Sequence, residues 1–310
     1  MTPDASIFVA GHRGMVGSAL VRALRTAGFE NLALRGRDEL DLTNQAQVEQ
    51  FFAQVRPAYV FMAAAKVGGI LANDSQPAEF LQNNLTIQTN IIDAAWRHGA
   101  TKLLFLGSSC VYPRLAAQPI TEASLLTGPL EPTNEWYAIA KIAGIKMCEA
   151  YRRQYGFNAI TAMPTNLYGP EDNFDLATSH VLPALLRKFH EAAQRDSGTV
   201  EVWGSGTPRR EFLHVDDLAE ACLFLMRGYD GGGWINVGCG NDLSIAQLAA
   251  AMARVVGFKG AIRFDTSKPD GTPRKLLDTS RMTALGWTPR IDLESGLRST
   301  YDWYRQSLVK

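Results

Sequence analysis

A doubly wound α/β fold around a parallel sheet is the class this sequence predicts, on three observations. Short apolar runs at Ser6–Ala10, Ala58–Ala64, Leu103–Leu106 and Asn158–Met163 alternate with longer helical patterns, the order that produces a parallel sheet covered on both faces. A glycine triplet, Gly11-x-x-Gly14-x-x-Gly17, stands directly between the first run and a helix at Ser18–Ala27. The run at Leu103–Leu106 breaks at Gly107-Ser108-Ser109-Cys110, and open α/β sheets place their ligands at such carboxyl ends.

Taken in order, the first strand and helix form a dinucleotide cradle of the Rossmann type. Glycines allow a tight turn and close backbone approach to a pyrophosphate, while the helix start offers N–H donors. Gly11, Arg13, Gly14, Met15, Val16 and Gly17 are the candidates there. The second strand, Asn31–Leu34, runs into Arg35-Gly36-Arg37-Asp38. A carboxylate at this point suits the ribose 2′-hydroxyl of NAD, an arginine the 2′-phosphate of NADP. Arg37, with Arg13, therefore favours NADPH/NADP, although either arginine could be a solvated surface charge. Asp41 and Leu42 follow at a place suited to the adenine edge.

The third strand, Ala58–Ala64, ends in small residues past which a cofactor could run, and Ala65–Asn73 is expected to be a glycine-containing loop. Pro77–His98 reads as a long helix, as does Tyr137–Tyr155. Their apolar faces could pair across a two-fold axis or be buried within one chain.

Tyr137 and Lys141 sit four apart on the second of these helices, which stacks both on one face. A phenol is a poor proton donor unless its anion is stabilised, and a nearby ammonium favours that anion. With Ser108 holding a carbonyl by hydrogen bonding, the three can protonate an oxygen as hydride reaches its carbon. Tyr-x-x-x-Lys alone is common on helices; the glycine cradle is what gives it weight.

Bulk properties exclude other classes. The 31 basic and 31 acidic residues cancel, leaving no electrostatic footprint for nucleic acid or an anionic membrane. No apolar run reaches the roughly 18 residues of a membrane span, and the chain opens without a secretory signal. Cys110, Cys148, Cys222 and Cys239 show neither C-x-x-C pairing nor metal-ligand spacing, so no metal is expected and a reducing cytoplasm is the natural location.

The glycine triplet, Ser108 and Tyr137-x-x-x-Lys141 resemble the extended short-chain dehydrogenase/reductase superfamily. The longer blocks GHRGMVGSAL, AAAKVGGI, GSSCVYP, EPTNEWYAIAKIAG, MPTNLYGPEDNF, WGSGTPRREFLHVDD and SKPDGTPRKLLD are similar to the GDP-L-fucose synthase family in particular. That resemblance covers Gly11 to about Tyr304. It implies a GDP-4-keto-6-deoxy-D-mannose substrate, a 3,5-epimerisation followed by NADPH-dependent 4-keto reduction, and a homodimer.

Inversion at carbons acidified by a neighbouring ketone needs an acid and a base flanking the ring. The resemblance assigns Cys110 as base and His180 as acid. A thiol can act as a base beside cations, and an imidazole is suited to donating protons near neutrality. Outside such a pattern a cysteine is ordinarily a small buried residue, and a histidine at a helix start is a cap or structural partner; His12, His98, His190 and His214 are read as structural. The resemblance also lays Ala64, Leu106, Gly107, Tyr137, Lys141, Pro164, Asn166, Leu167 and His180 along the cofactor.

For the nucleotide diphosphate it implies Lys188 and Arg210 as phosphate ligands, Trp203 as a stacking surface and Asp270 as an acceptor. Lys188 departs from an arginine also used at that position and gives a point charge in place of a fork. Taken alone, the two cations read as surface charges and Trp203 as core. The implied organisation is interleaved: residues 1–169 plus 212–240 as the NADP-binding Rossmann domain, and 170–211 plus 241–310 as a smaller C-terminal substrate domain. Ser244–Val256, Thr279–Gly286 and Asp292–Leu308 are helices, and the glycine-rich Tyr229–Trp234 is a surface turn. Two alternatives remain: a related epimerase or dehydratase that retains its cofactor, against which Ser109-Cys110-Val111 argues where a dehydratase would carry a Glu, and a non-catalytic NADP sensor.

Overall fold

A computed structural model describes residues 1–195, 197–268 and 270–309. The chain begins with β1 (Ile7–Ala10), α1 (Met15–Thr26), β2 (Leu32–Ala33), α2 (Gln45–Val55) and β3 (Tyr59–Met62). There follow α3 (Ile70–Ser75), α4 (Pro77–Arg97), β4 (Lys102–Leu106), α5 (Glu135–Tyr155), β5 (Ala159–Pro164) and β6 (Asn166–Tyr168). The second half runs through α6 (Val181–Gln194), β7 (Thr199–Trp203), β8 (Arg209–His214), α7 (Val215–Gly228) and β9 (Trp234–Val237). It closes with β10 (Asp242–Ser244), α8 (Ile245–Val256), β11 (Ala261–Asp265), β12 (Arg274–Lys275), α9 (Ser280–Ala284) and α10 (Leu293–Ser307).

Among the described residues, six strands form a parallel sheet in the order β2-β1-β3-β4-β5-β9. Every residue of β1, β4 and β5 is buried, which is why these strands are mostly apolar rather than alternating, with the Lys102 ammonium at the start of β4 donating to the carbonyls of Leu225, Met226 and Tyr229. On one face Leu20 and Leu24 of α1 meet Leu218, Cys222 and Leu225 of α7. On the other, Phe52 of α2, Ile91 and Ile92 of α4 and Ile145 of α5 close the core. The Rossmann-type doubly wound sheet is therefore as expected from the sequence.

A third core gathers Leu186 and Phe189 of α6, Val200 and Val202 of β7, Leu248 and Met252 of α8, and Leu297 and Tyr301 of α10. Two small sheets flank it: β11 pairs with β7, and β8 pairs with β6, β10 and β12. The chain returns to the main sheet late, since Leu277, Met282 and Trp287 pack into the two cores beside it.

One expectation needs correction. The stretch from Ala65 to Asn73 is not all loop, because α3 starts at Ile70. The side chain of Asn73 donates to the carbonyls of Gly68 and Gly69 at 2.8 and 3.0 Å, and Gly69 N–H reaches Thr178 O at 2.8 Å. Those bonds anchor the short helix to the segment that precedes α6. The expected serine cap of α8 is present as a full capping box between Ser244 and Gln247.

Candidate active site

The order of the sheet places the strand reversal between β1 and β3, and the candidate residues leave the carboxyl ends of β1, β3, β4 and β5. Gly11 has φ +82°, and a Cβ there would lie 2.8 Å from Ala64 N. A Cβ on Gly17 would come within 2.0 Å of Gly11 O. The outer glycines are thus required by the protein itself. Gly14 differs: its Cβ would meet only Gly11 O at 3.6 Å, an ordinary contact, which leaves room for a ligand. Helix α1 starts at Met15 with neither a side-chain cap nor an acidic residue in its first turn, so its free N–H groups suit an anion. His12 Nδ1, buried in the loop without a partner, is a further polar group available there. The cradle fits a dinucleotide diphosphate.

Arg37 lies in the segment after β2, and Arg13 reaches that same segment. Arg13 lies 3.4 Å from Asp38, both side chains being exposed, and crowds Gly36. Asp41 accepts from Thr43 Oγ1 and N at 2.7 and 3.0 Å; these bonds, with the Arg37 charge a smaller influence, hold its carboxyl below the ordinary value. The Leu42 carbonyl accepts from Asn90 Nδ2 at 3.0 Å.

The chemistry of β4 and α5 is joined by Lys141. Its side chain is 4% exposed and Nζ donates to Leu106 O at 2.8 Å. The ammonium is 4.9 Å from the Phe105 ring centre and 5.9 Å from that of Tyr137. Gly107 is needed where β4 meets β5, since a Cβ would fall 2.3 Å from Met163 Sδ. Ser108 is extended, and its Oγ accepts from Cys110 N at 3.3 Å, capping a one-turn helix at Ser109–Val111.

Burial moves both Tyr137 and Lys141 on α5. It pushes Lys141 down to about 8. It raises the Tyr137 phenol, reinforced by Cys110 and opposed by a hydrogen bond with Ser108. The sequence led us to expect a Lys141 cation lowering that phenol. Desolvation outweighs it here, as Lys141 is committed to the Leu106 carbonyl, and Tyr137 is held in its proton-donating form.

Cys110 is half-buried. His180 precedes α6 with extended backbone and makes no capping bond. The residue keeps an exposed surface while protein packs around its ring. That enclosure, and then the Lys275 charge, lowers its basicity. Lys275 Nζ is also 3.7 Å from Cys110 Sγ. Lys275 therefore contacts one member of the expected acid–base pair and acts on the other through its charge, and we did not single it out from the sequence. Its only sequence signal is membership of the block SKPDGTPRKLLD.

Glu211 was also missed. It is fully buried, and its carboxylate accepts from Gly240 N at 2.7 Å and Leu277 N at 3.0 Å. Its backbone carbonyl accepts from Asn166 Nδ2 at 2.8 Å. One residue thus ties the turn after Pro164, which carries Asn166 and Leu167, to the strand carrying Lys275.

The candidate nucleotide residues lie farther along β7, β8 and α6. Trp203 is 56% exposed, so it is not core; the ammonium groups of Lys188 and Lys268 lie 5.3 and 5.5 Å from its ring centre. Lys188 also donates to Glu201 O at 3.1 Å. Arg210 is partly buried; burial lowers it, while Cys110, Glu131 and Asp270 favour its charge. Asp270 accepts from Ser205 N and Oγ at 2.7 and 2.8 Å, so its carboxylate is already engaged in the turn after β7. His214 caps α7 by accepting from Asp216 N at 3.2 Å, a structural role.

Comparison with known proteins agrees with this geometry. Residues 7–238 match the NAD dependent epimerase/dehydratase family. A putative GDP-L-fucose synthase 2 from Arabidopsis thaliana is 62% identical over 99% of this chain and 94% of its own length. The GDP-L-fucose synthase of Escherichia coli is 56% identical over 97% of each. A GDP-mannoheptose C4 reductase from Campylobacter jejuni, solved with NADP bound, superposes with a TM-score of 0.91 at 41% identity, covering 98% of this chain and 99% of that one. The chain belongs to the NAD dependent epimerase/dehydratase family, and within it groups with the GDP-L-fucose synthases.

Proposed function

We propose that the chain converts GDP-4-keto-6-deoxy-D-mannose to GDP-L-fucose by inversion at C3 and C5 followed by reduction at C4. The observation that carries this reading is the grouping at the end of β4: Cys110 in contact with Lys275, whose charge also acts on His180, beside Ser108, Tyr137 and Lys141. The near-full-length similarity to GDP-L-fucose synthases supports it.

In each inversion Cys110 takes the proton from the carbon next to the ketone. The C–H electron pair moves into the enolate, whose oxygen Ser108 and Tyr137 hold by hydrogen bonds. His180 returns a proton to the opposite face, and solvent exchange resets the pair. NADPH is the cofactor and supplies the hydride for C4. Tyr137 then gives its phenolic proton to the C4 oxygen. Burial that raises the phenol keeps that proton in place until it is needed.

Gly11, Gly14, Met15, Val16 and Gly17 would hold the cofactor diphosphate, Arg13 and Arg37 its 2′-phosphate, and Asp41 and Leu42 the adenine. Ala64, Leu106, Gly107, Pro164, Asn166, Leu167 and His180 line the path to the nicotinamide. Lys188 and Arg210 neutralise the GDP diphosphate, Trp203 stacks on the base or ribose, and Asp270 accepts hydrogen bonds from guanine or sugar. Residues 1–169 plus 212–240 serve as the cofactor domain and 170–211 plus 241–310 as the substrate domain, with the segment around Leu277–Trp287 crossing back.

Exposed Trp136 and Ile139, three apart on α5, support a homodimer built on α4 and α5. Among the described residues no helix is long and apolar enough to cross a membrane; we place the enzyme in the cytoplasm. Incubation with GDP-4-keto-6-deoxy-D-mannose and NADPH tests the function: one NADPH should be oxidised per GDP-L-fucose formed, and unchanged absorbance at 340 nm would refute the reductase assignment.

A further inference from the structure

Lys275 reaches the reaction centre through a backbone that is fixed on three sides. Its strand pairs with β8 so that Lys275 stands opposite Arg210. The next residue, Leu276, donates to Gln118 Oε1 at 2.9 Å, and Leu277 donates to the buried Glu211 carboxylate at 3.0 Å. The neighbouring Arg274 is occupied by Asp242. Lys275 instead turns its ammonium to Cys110 Sγ, at 3.7 Å.

We infer that Lys275 is a positioning residue for the inversion steps, acting as the ammonium partner of Cys110 and dividing the base and acid roles between Cys110 and His180. This rests on the function proposed above and deepens it. One cation that touches the sulfur and acts on the imidazole through its charge has different consequences for the two. At 3.7 Å it can donate a hydrogen bond to the sulfur that takes the proton. It disfavours a positive imidazole, which makes the protonated ring a readier donor, in keeping with the lowered basicity of His180. A lysine here therefore gives Cys110 the abstraction and His180 the return of the proton.

Other charges face this centre as well. Arg210 on β8 is drawn by Cys110 and adds to the positive field. Tyr137 on α5 feels the Cys110 charge. Arg114 and Glu131, which line the same small cavity, are paired with each other at 3.2 Å. Of these groups, Lys275 is the one in contact with Sγ.

The test uses full-length protein, GDP-4-keto-6-deoxy-D-mannose and D2O without NADPH, following deuterium entry at C3 and C5 by NMR across pH. Wild type, Lys275→Met and Lys275→Arg are compared, with NADPH affinity as the control for folding. Lys275→Met should exchange at least about tenfold more slowly, part of the roughly 10²–10⁴-fold that a placed acid–base group contributes. The pH dependence of exchange should change as well, because the ammonium in contact with the sulfur is lost. Lys275→Arg should restore most of the rate and the wild-type profile. Iodoacetamide labelling of Cys110, followed by peptide mapping, should shift with pH in the same order.

Wild-type exchange that persists unchanged in Lys275→Met, with an unmoved profile, would overturn the role of Lys275 alone. Absence of exchange in wild type would instead contradict the proposed function. Should Lys275→Met lose NADPH affinity through misfolding, Lys275→Arg decides: a folded arginine variant with slow exchange and a displaced profile also overturns the inference.

Discussion

Lys141 Nζ donates to Leu106 O at 2.8 Å, which ties the helix bearing Tyr137 to the strand whose end carries Ser108. This bond brings a buried ammonium within 5.9 Å of the phenol ring while committing it to a backbone carbonyl. The proton donor and its supporting cation are thereby set by the packing of α5 on β4.

The same burial makes stability depend on pH in a definite direction. Lys141 is depressed from 10.5 to about 8 in the folded protein. Below pH 8 both folded and unfolded chains hold the proton, so the destabilisation is full. Between about 8 and 10.5 the unfolded chain binds more protons, and folding stability gains as pH rises. Urea denaturation of wild type and Lys141→Met should show the difference moving toward wild type by about 2–3 kcal/mol from pH 7 to pH 10. Reduction at C4 by Lys141→Met should fall about 100-fold or more.

The glycine loop should separate fold from binding. Gly17→Ala places a Cβ 2.0 Å from Gly11 O and should cost at least about 2 kcal/mol, read as a lower urea midpoint. Gly14 has φ −82° and ψ 168°, which alanine adopts without strain. Gly14→Ala should keep the wild-type midpoint within about 0.5 kcal/mol, yet weaken NADPH binding about tenfold by fluorescence titration.

Cofactor choice should rest on Arg37 with Arg13. Arg37→Ala should raise the KM for NADPH about tenfold, by loss of a charge-assisted phosphate contact. The KM for NADH, which lacks the 2′-phosphate, should stay within about twofold.

Much of this was legible in the chain because local chemistry decided it. Strands buried on both faces are mostly apolar, and Gly11 and Gly17 occupy positions that no Cβ can share. Tyr137 and Lys141 share a helix face by spacing alone. Lys275 and Glu211 were not legible. Each reaches the site through pairing across distant parts of the chain, Lys275 with Cys110 and Glu211 with Leu277. The upward shift of Tyr137 was hidden for a similar reason, since desolvation depends on packing and not on spacing. The helix at Ile70–Ser75 depends on a contact with Thr178, again remote in sequence.

The division of labour at the strand end is tested most directly by the product of Cys110→Ser, given GDP-4-keto-6-deoxy-D-mannose and NADPH and analysed by NMR. Wild type should yield GDP-L-fucose alone. Cys110→Ser should yield a C4-reduced sugar that keeps its starting configuration at C3 and C5, with inverted product lowered about 100-fold or more. GDP-L-fucose formed by Cys110→Ser at the wild-type rate would contradict the account.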